Sequence, residues 1–382
     1  MRSGEITSRN LSASSSRFRW GDPWILWPTC ILIAFGLVML FSASYIYADE
    51  RTGDGFYFLK RQSLYLLMGV ATYFAGLKLS LEKIERYIYP LLATSFVFLL
   101  LTFAPGLGRS VGGASRWIHL GVVNFQPAEW IKLLMVFFVA RQLAVKHLKL
   151  KRFVPGVLGP LLIPTVFFGV LLLQPDFGSV ALIGAVAILL MFIGGVNPLN
   201  LGGTVIAGLS AVVGLVLSSP YRIARVKTFF DPWSDPQGSG FQVLQSMVGF
   251  HHGGALGVGL GNGKEKLFFL PEAHNDFIFS VIGEELGLIG VLIVALSFGL
   301  LLFRGFSIGN QLLARGLRFQ GLVAFGLSLL IALQATINMS VALGLLPTKG
   351  ITLPLISYGG SSLMMNLMLI GFLQQLSKRV SV

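Results

Sequence analysis

Charge is missing from long stretches of this chain, and that decides what it can fold into. Segments of about 20 apolar residues are long enough to cross a bilayer as a helix. They recur near 24–44, 62–80, 87–104, 127–145, 154–173, 177–195, 198–218, 277–303, 319–343 and 353–377. In lipid no water satisfies a backbone N–H or C=O, so such segments must be helices or strands of a closed barrel. Barrel strands would alternate apolar and polar residues over about ten positions, and this chain has no such alternation. Charged residues make up 12% of 382 positions, against roughly 25% in soluble domains, too few to coat a water-exposed surface. The expected fold is an all-α integral membrane protein of about ten transmembrane helices. It forms a single domain over 23–378, between a polar tail at 1–22 and a short tail at 379–382. The first apolar run, Trp24 to Ser44, is too long for a signal-peptide core and is read as a retained helix. The single cysteine, Cys30, can form no internal disulfide.

A net charge of +13 would suggest nucleic acid in a soluble protein. Here its distribution points to membrane orientation instead. With the N-terminus inside, the cytoplasmic face collects Arg2, Arg9, Arg17, Arg19, Lys78, Lys83, Arg86, Arg141, Lys146, Lys149, Lys151, Arg152, Arg304, Arg315, Arg318, Lys378 and Arg379, which is 17 of the 29 lysines and arginines. The opposite face carries most of the acids, among them Asp49, Glu50, Asp54, Asp231, Asp235, Glu272 and Asp276. By the positive-inside rule both termini are cytoplasmic. One long extracytoplasmic loop, 219–276, joins the seventh and eighth spans. A loop longer than about 15 residues in a compact domain is usually functional or disordered. Phe229, Phe230, Trp233, Phe241, Phe250, Phe268 and Phe269 give this one material to pack with.

Several polar clusters interrupt the apolar pattern. In Leu270–Phe277, the acids Glu272 and Asp276 with His274 stand at the outer mouth of the eighth span, and helical spacing would put the two acids on one face. A carboxylate partly removed from water gains proton affinity and can act as a base near neutral pH; the plainer reading is acids at a helix start, favoured by its dipole. Gln126-Pro127-Ala128-Glu129-Trp130-Ile131-Lys132 opens the fourth span, and Glu129 and Lys132 are spaced to pair. Each ionisable group costs roughly 2.5–3.5 kcal/mol at mid-membrane on insertion scales, so such a pair either fixes helix packing or lines a polar cavity. In the second case Arg116, just upstream, becomes a phosphate ligand.

Asp176, between the fifth and sixth spans, fits a helix cap or a site. Lys349 and the Ser357-Tyr358-Gly359-Gly360-Ser361-Ser362 run precede the last span; their small residues suit close helix packing, and their hydroxyls and amides suit phosphate. Gln334 and Asn338, one turn apart, face the same interior. The glycine run Gly257-Val258-Gly259-Leu260-Gly261-Asn262-Gly263 follows no strand, so it is not a nucleotide loop. The residues alone leave two classes open. One is an enzyme working on an amphiphile at the outer leaflet; the other is a transporter or flippase. A transporter would spread polar residues through the midplane; here they gather at the outer helix ends.

GGASRWI with FQPAEWIK, QPDFGS, FFDPWSDPQGSGFQ, LPEAHNDFIF with IGEELG, and LPTKGITLPLISYGGSS together resemble the SEDS family (shape, elongation, division, sporulation). These blocks run from about residue 112 to 362, and their joint occurrence is specific. The DPW–SDP–GSG–Q run and LPTKG–TLP look more like the FtsW-like division branch than the RodA-like elongation branch. The resemblance implies a peptidoglycan glycosyltransferase of the inner membrane, at the division septum, that polymerises lipid II beside a class B penicillin-binding transpeptidase and other divisome membrane proteins, with no nucleic-acid partner. It implies Asp276 as the catalytic residue and Arg61, Arg116, Glu129 and Lys132 as important polar groups. Gln126, Asp176, Glu272, His274, Lys349, Ser357 and Ser361 are further candidates for substrate contact. No cofactor is required by the sequence; a divalent cation, Mg²⁺ or Mn²⁺, would be shared with the substrate pyrophosphate. A lipid II flippase and a non-catalytic divisome scaffold are the competing readings.

Overall fold

The computed structural model describes residues 21–111, 114–121, 123–218, 220–238, 240–266, 273–348 and 350–380. The N-terminal tail with its four arginines, Phe268, Phe269, Glu272 and Lys349 lie outside them. Thirteen α-helices dominate these residues. α1 (Pro23–Thr52) and α2 (Tyr57–Lys78) are followed by the short α3 (Leu81–Arg86) and by α4 (Ile88–Leu101). α5 (Pro127–Val145), α6 (Gly159–Leu173), α7 (Phe177–Gly194) and α8 (Pro198–Leu217) continue the bundle. After α9 (Pro220–Phe230) and α10 (Phe241–Gly253) come the long α11 (Ile278–Ala314), α12 (Arg318–Ala342) and α13 (Gly360–Val380). Among the described residues, six helical stretches are long and apolar enough to cross a membrane: α1, Val154–Leu173, α7, α8, α11 and α12.

Local chemistry sets the helix starts. Asp22 caps α1, its carboxylate accepting from the Trp24 N–H at 3.1 Å, with Pro23 in the first turn. Asp176 caps α7 through the Ser179 N–H at 3.2 Å and hydroxyl at 2.7 Å, and Asn197 caps α8. α12 lies at the centre, packed on α5, α7, α11 and α13. Phe137 and Phe138 of α5, Phe279 of α11 and Phe372 of α13 are fully buried there. α2 and α13 cross through glycines: a Cβ on Gly76 would lie 2.5 Å from the Met368 carbonyl oxygen, and one on Gly371 would lie 2.3 Å from that of Tyr73. Small residues permit that approach in lipid, where dispersion rather than water exclusion holds helices together. α8 buries only Leu201 and presents its other apolar side chains outward, as a helix facing lipid does.

The structure departs from the sequence expectation in four places. The segment ahead of α5 is an antiparallel sheet, β1 (Gly108–Val111), β2 (Ala114–Leu120) and β3 (Val123–Phe125), so the chain is not all-α. Gly108 pairs with Ile118, and Ile118 with Phe125. The described residues of 219–276 include two helices, α9 and α10, rather than a plain loop. Its aromatics are not all packed: Phe230 is 80% exposed and Trp233 73%. Asp276 stands in a turn before α11 rather than on the helix face foreseen for it with Glu272.

α11 is broken at Gly287, whose φ of 60° and ψ of −155° suit only glycine. The glycine run 257–263 closes the break. Gly257, Gly259 and Gly261 all have positive φ, and the turn they form aims the Val258 and Gly259 N–H groups at the carbonyls of Glu284 and Glu285, both at 3.0 Å. The Leu288 N–H reaches back to the Gly254 carbonyl at 3.0 Å. Backbone groups freed by the kink are thereby satisfied.

Candidate active site

A cavity of 620 Å³ opens among the ends of α1, α2, α5 and α7, strands β2 and β3, the turn before α11 and the segment leading into α13. It gathers Arg61, Arg116, Gln126, Glu129, Lys132, Asp176 and Asp276 from positions far apart in sequence. At its floor, Lys132 Nζ lies 2.7 Å from Glu129 Oε1 and donates to Gln334 Oε1 at 2.9 Å. Both charges are buried, so the ion pair foreseen from spacing forms and also lines the cavity. Gln334 in turn donates to the Thr352 carbonyl at 3.1 Å, fixing the segment before α13 against α12.

Arg116 sits on β2 rather than on a loop. Its Nε donates to the Gln174 carbonyl at 3.1 Å and its Nη2 to that of Pro175. A guanidinium carries five N–H donors in a fixed fork, so a donor face remains toward the cavity. Arg61 Nη1 donates to the Tyr57 hydroxyl at 2.8 Å, and its guanidinium lies 5.3 Å from the centroid of that ring. Asp276 is half-buried, and its backbone carbonyl accepts from Asn338 Nδ2 at 2.9 Å. Asn338 also donates to the Ile351 carbonyl at 2.7 Å, which ties the Asp276 turn to the 350–352 segment.

Three expected contact residues stand behind the wall instead of lining it. His274 is buried, 4.4 Å from Phe58 and 5.3 Å from Tyr47, ring centroid to centroid. Burial pushes its imidazole down to about 4, so it is neutral at physiological pH. The Ser357 hydroxyl accepts from the Leu353 N–H at 2.8 Å, and the Ser361 hydroxyl donates to the Asn124 carbonyl at 2.9 Å while accepting from the Gln126 N–H at 3.1 Å. These hydroxyls brace the entry to α13 and the start of α5. Asp176 both caps α7 and lines the cavity.

A family model described as a cell cycle protein, FtsW/RodA/SpoVE, matches residues 23–381. The chain belongs to the FtsW/RodA/SpoVE family. Among its sequence relatives, a probable peptidoglycan glycosyltransferase FtsW of Geobacter metallireducens is 43% identical over 359 residues, covering 94% of this chain and 95% of that one. One of the same name from Halorhodospira halophila is 44% identical over 352 residues, covering 92% and 89%. Of solved structures, one reported as structural coordination of polymerization and crosslinking by a peptidoglycan synthase complex is similar at a TM-score of 0.75 and 31% identity, covering 95% of this chain and 99% of that one. The Thermus thermophilus rod shape determining protein RodA is similar at 0.67 and 28%, covering 94% and 98%. Within this FtsW/RodA/SpoVE member the sequence reading missed part of the wall: Tyr47, Arg51, Tyr57 and Phe58 also line the cavity. Their only sequence signal is aromatic and basic residues at adjacent helix ends, a pattern common to membrane interfaces.

Proposed function

We propose that this chain is a peptidoglycan glycosyltransferase of the septal cell wall, polymerising lipid II in the 620 Å³ cavity. The observation that carries this reading is the convergence of Asp276 with Arg61, Arg116 and the buried Glu129–Lys132 pair on that cavity, in a chain of this family. The acceptor is the 4-hydroxyl of a GlcNAc in lipid II. Its oxygen attacks the anomeric carbon of the growing glycan with inversion. The hydroxyl proton passes to the Asp276 carboxylate. The bond from the anomeric carbon to undecaprenyl pyrophosphate breaks, and its electron pair leaves on the pyrophosphate. Arg61 and Arg116, with Lys132 below, meet the charge that develops there, and Lys349, which precedes the cavity-lining Gly350 in the chain, is a further candidate.

Glu129 and Asp176 are already engaged by Lys132 and Ser179. A divalent cation, Mg²⁺ or Mn²⁺, fits as a companion of the substrate pyrophosphate rather than as a resident of these carboxylates. The fold is that of a multi-pass membrane protein; we read it as ten spans with both termini cytoplasmic, acting beside a class B penicillin-binding transpeptidase.

Purified lipid II incubated with the protein and its transpeptidase is the test, comparing wild type with Asp276→Asn. A positioned base contributes about 10²–10⁴-fold, so glycan synthesis by a normally folded Asp276→Asn protein is expected to fall by that range. Equal synthesis by both proteins removes Asp276 from the base role. No synthesis by either moves the function to lipid II transport.

A further inference from the structure

Away from the cavity, the junction between α10 and α11 holds a second group of acids that the polymerase reading does not use. His252 lies in the last turn of α10, Glu265 in the segment that follows the glycine run, and Glu284 on α11 just before its break. One donor atom of each lies within 4.8 Å of the other two. Glu284 is 1% exposed and Glu265 4%. The Glu284 carboxylate accepts from the Lys264 N–H at 2.7 Å and the Glu265 N–H at 3.3 Å, which sets its orientation.

Glu265 Oε2 is buried without a hydrogen-bond partner. A buried carboxylate oxygen left unmatched is costly, and here it faces a second acid. Among the described residues no lysine or arginine pairs with either acid. Lys266, adjacent in sequence, is committed to Glu285 at 2.7 Å and to the Ser42 hydroxyl at 2.9 Å.

We propose that His252, Glu265 and Glu284 form a site for a Zn²⁺-class divalent cation, separate from the polymerisation cavity. One imidazole nitrogen and two carboxylate oxygens suit a borderline cation such as Zn²⁺, with water completing its shell; they suit Mg²⁺ poorly, since that ion prefers oxygen ligands alone. The three ligands come from α10, the segment after the glycine run and α11. A bound ion therefore joins the elements that the glycine turn already stitches across the Gly287 break, and its effect is to stabilise that junction.

The test is Zn²⁺ titration of the metal-stripped full-length protein in detergent, with thermal unfolding read in parallel. Saturable binding of one Zn²⁺ per chain is expected, with a rise in unfolding temperature that grows with free Zn²⁺ and is far smaller for Mg²⁺. His252→Ala changes an exposed side chain, and Glu265→Gln keeps its shape. Each is expected to weaken Zn²⁺ binding at least about tenfold, while Asp276→Asn leaves it unchanged. Absence of Zn²⁺ binding overturns the site, as does unaltered affinity in both site variants. Because binding is read without substrate, failure here is distinct from failure of the polymerase assignment.

Discussion

His274 carries a pH signature that its position makes unavoidable. Its folded value, about 4, lies below the ordinary 6.5 because the ring is buried. Between those values the unfolded chain binds the extra proton and the folded chain does not. Stability is therefore full above about pH 6.5 and drains as pH falls toward 4, by at most about 3 kcal/mol at roughly 1.4 kcal/mol per pKa unit. His274→Phe keeps a ring against Phe58 and removes the proton site. Thermal unfolding between pH 7 and pH 4.5 is expected to show a shallower acid-side loss in His274→Phe than in wild type; equal slopes refute the assignment. The Glu129–Lys132 pair makes a different prediction. Removing one member of a buried pair strands the other, at about 3–5 kcal/mol. Glu129→Gln and Lys132→Met are each expected to unfold at lower temperature, and the double variant to regain most of that loss while remaining inactive in polymerisation. Recovery of activity along with stability would reduce the pair to a packing device. This pair was legible in the sequence because two opposite charges three residues apart inside an apolar run must find each other. The roles of Ser357 and Ser361 were not, because a serine among glycines looks the same whether it binds phosphate or braces a backbone.

At the scale of elements, helices were readable wherever an apolar run exceeded the thickness of a bilayer, since lipid permits little else. Two of the three strands were hidden by brevity: β3 is 3 residues long and β1 is 4, too short for period-two alternation to stand out. α10 was hidden by its surroundings, a region punctuated by glycine and proline where turns are the better guess. Closeness between helices is set by glycines whose importance only the fold exposes. A Cβ on Gly371 would reach 2.3 Å from the Tyr73 carbonyl, whereas one on Gly299 of α11 meets nothing within 4 Å. Gly371→Val is accordingly expected to force α13 from α2 and cost about 1–3 kcal/mol or more as overpacking. Gly299→Ala should be neutral or slightly stabilising, by up to about 1 kcal/mol from helix propensity. Unfolding temperatures of the two variants in the same detergent check this; a comparable loss in both would show that the α2–α13 crossing yields readily.

For the whole molecule, the number of crossings fixes which loops share a side, and parity makes that measurable. Leu148, after α5, and Trp233, after α9, are 87% and 73% exposed. Between them lie the helices Val154–Leu173, α7 and α8, all long and apolar enough to span. If all three cross, the two positions lie on opposite faces. On the orientation proposed above, the basic cluster Lys146, Lys149, Lys151 and Arg152 beside Leu148 marks that face as the cytoplasmic one. α8 is the sensitive element, because a helix that buries only Leu201 owes its placement to lipid rather than to neighbours. On a Cys30→Ser background, Trp233→Cys is expected to react with a membrane-impermeant maleimide in intact spheroplasts, and Leu148→Cys only after permeabilisation. Labelling of both from outside, or of neither, would mean that one of the three helices lies along the membrane surface, and α8 would be the first suspect. Labelling of Leu148→Cys alone would invert the protein. The cavity residues Asp276 and Arg61 would then face the cytoplasm, on the wrong side for building a wall outside the cell.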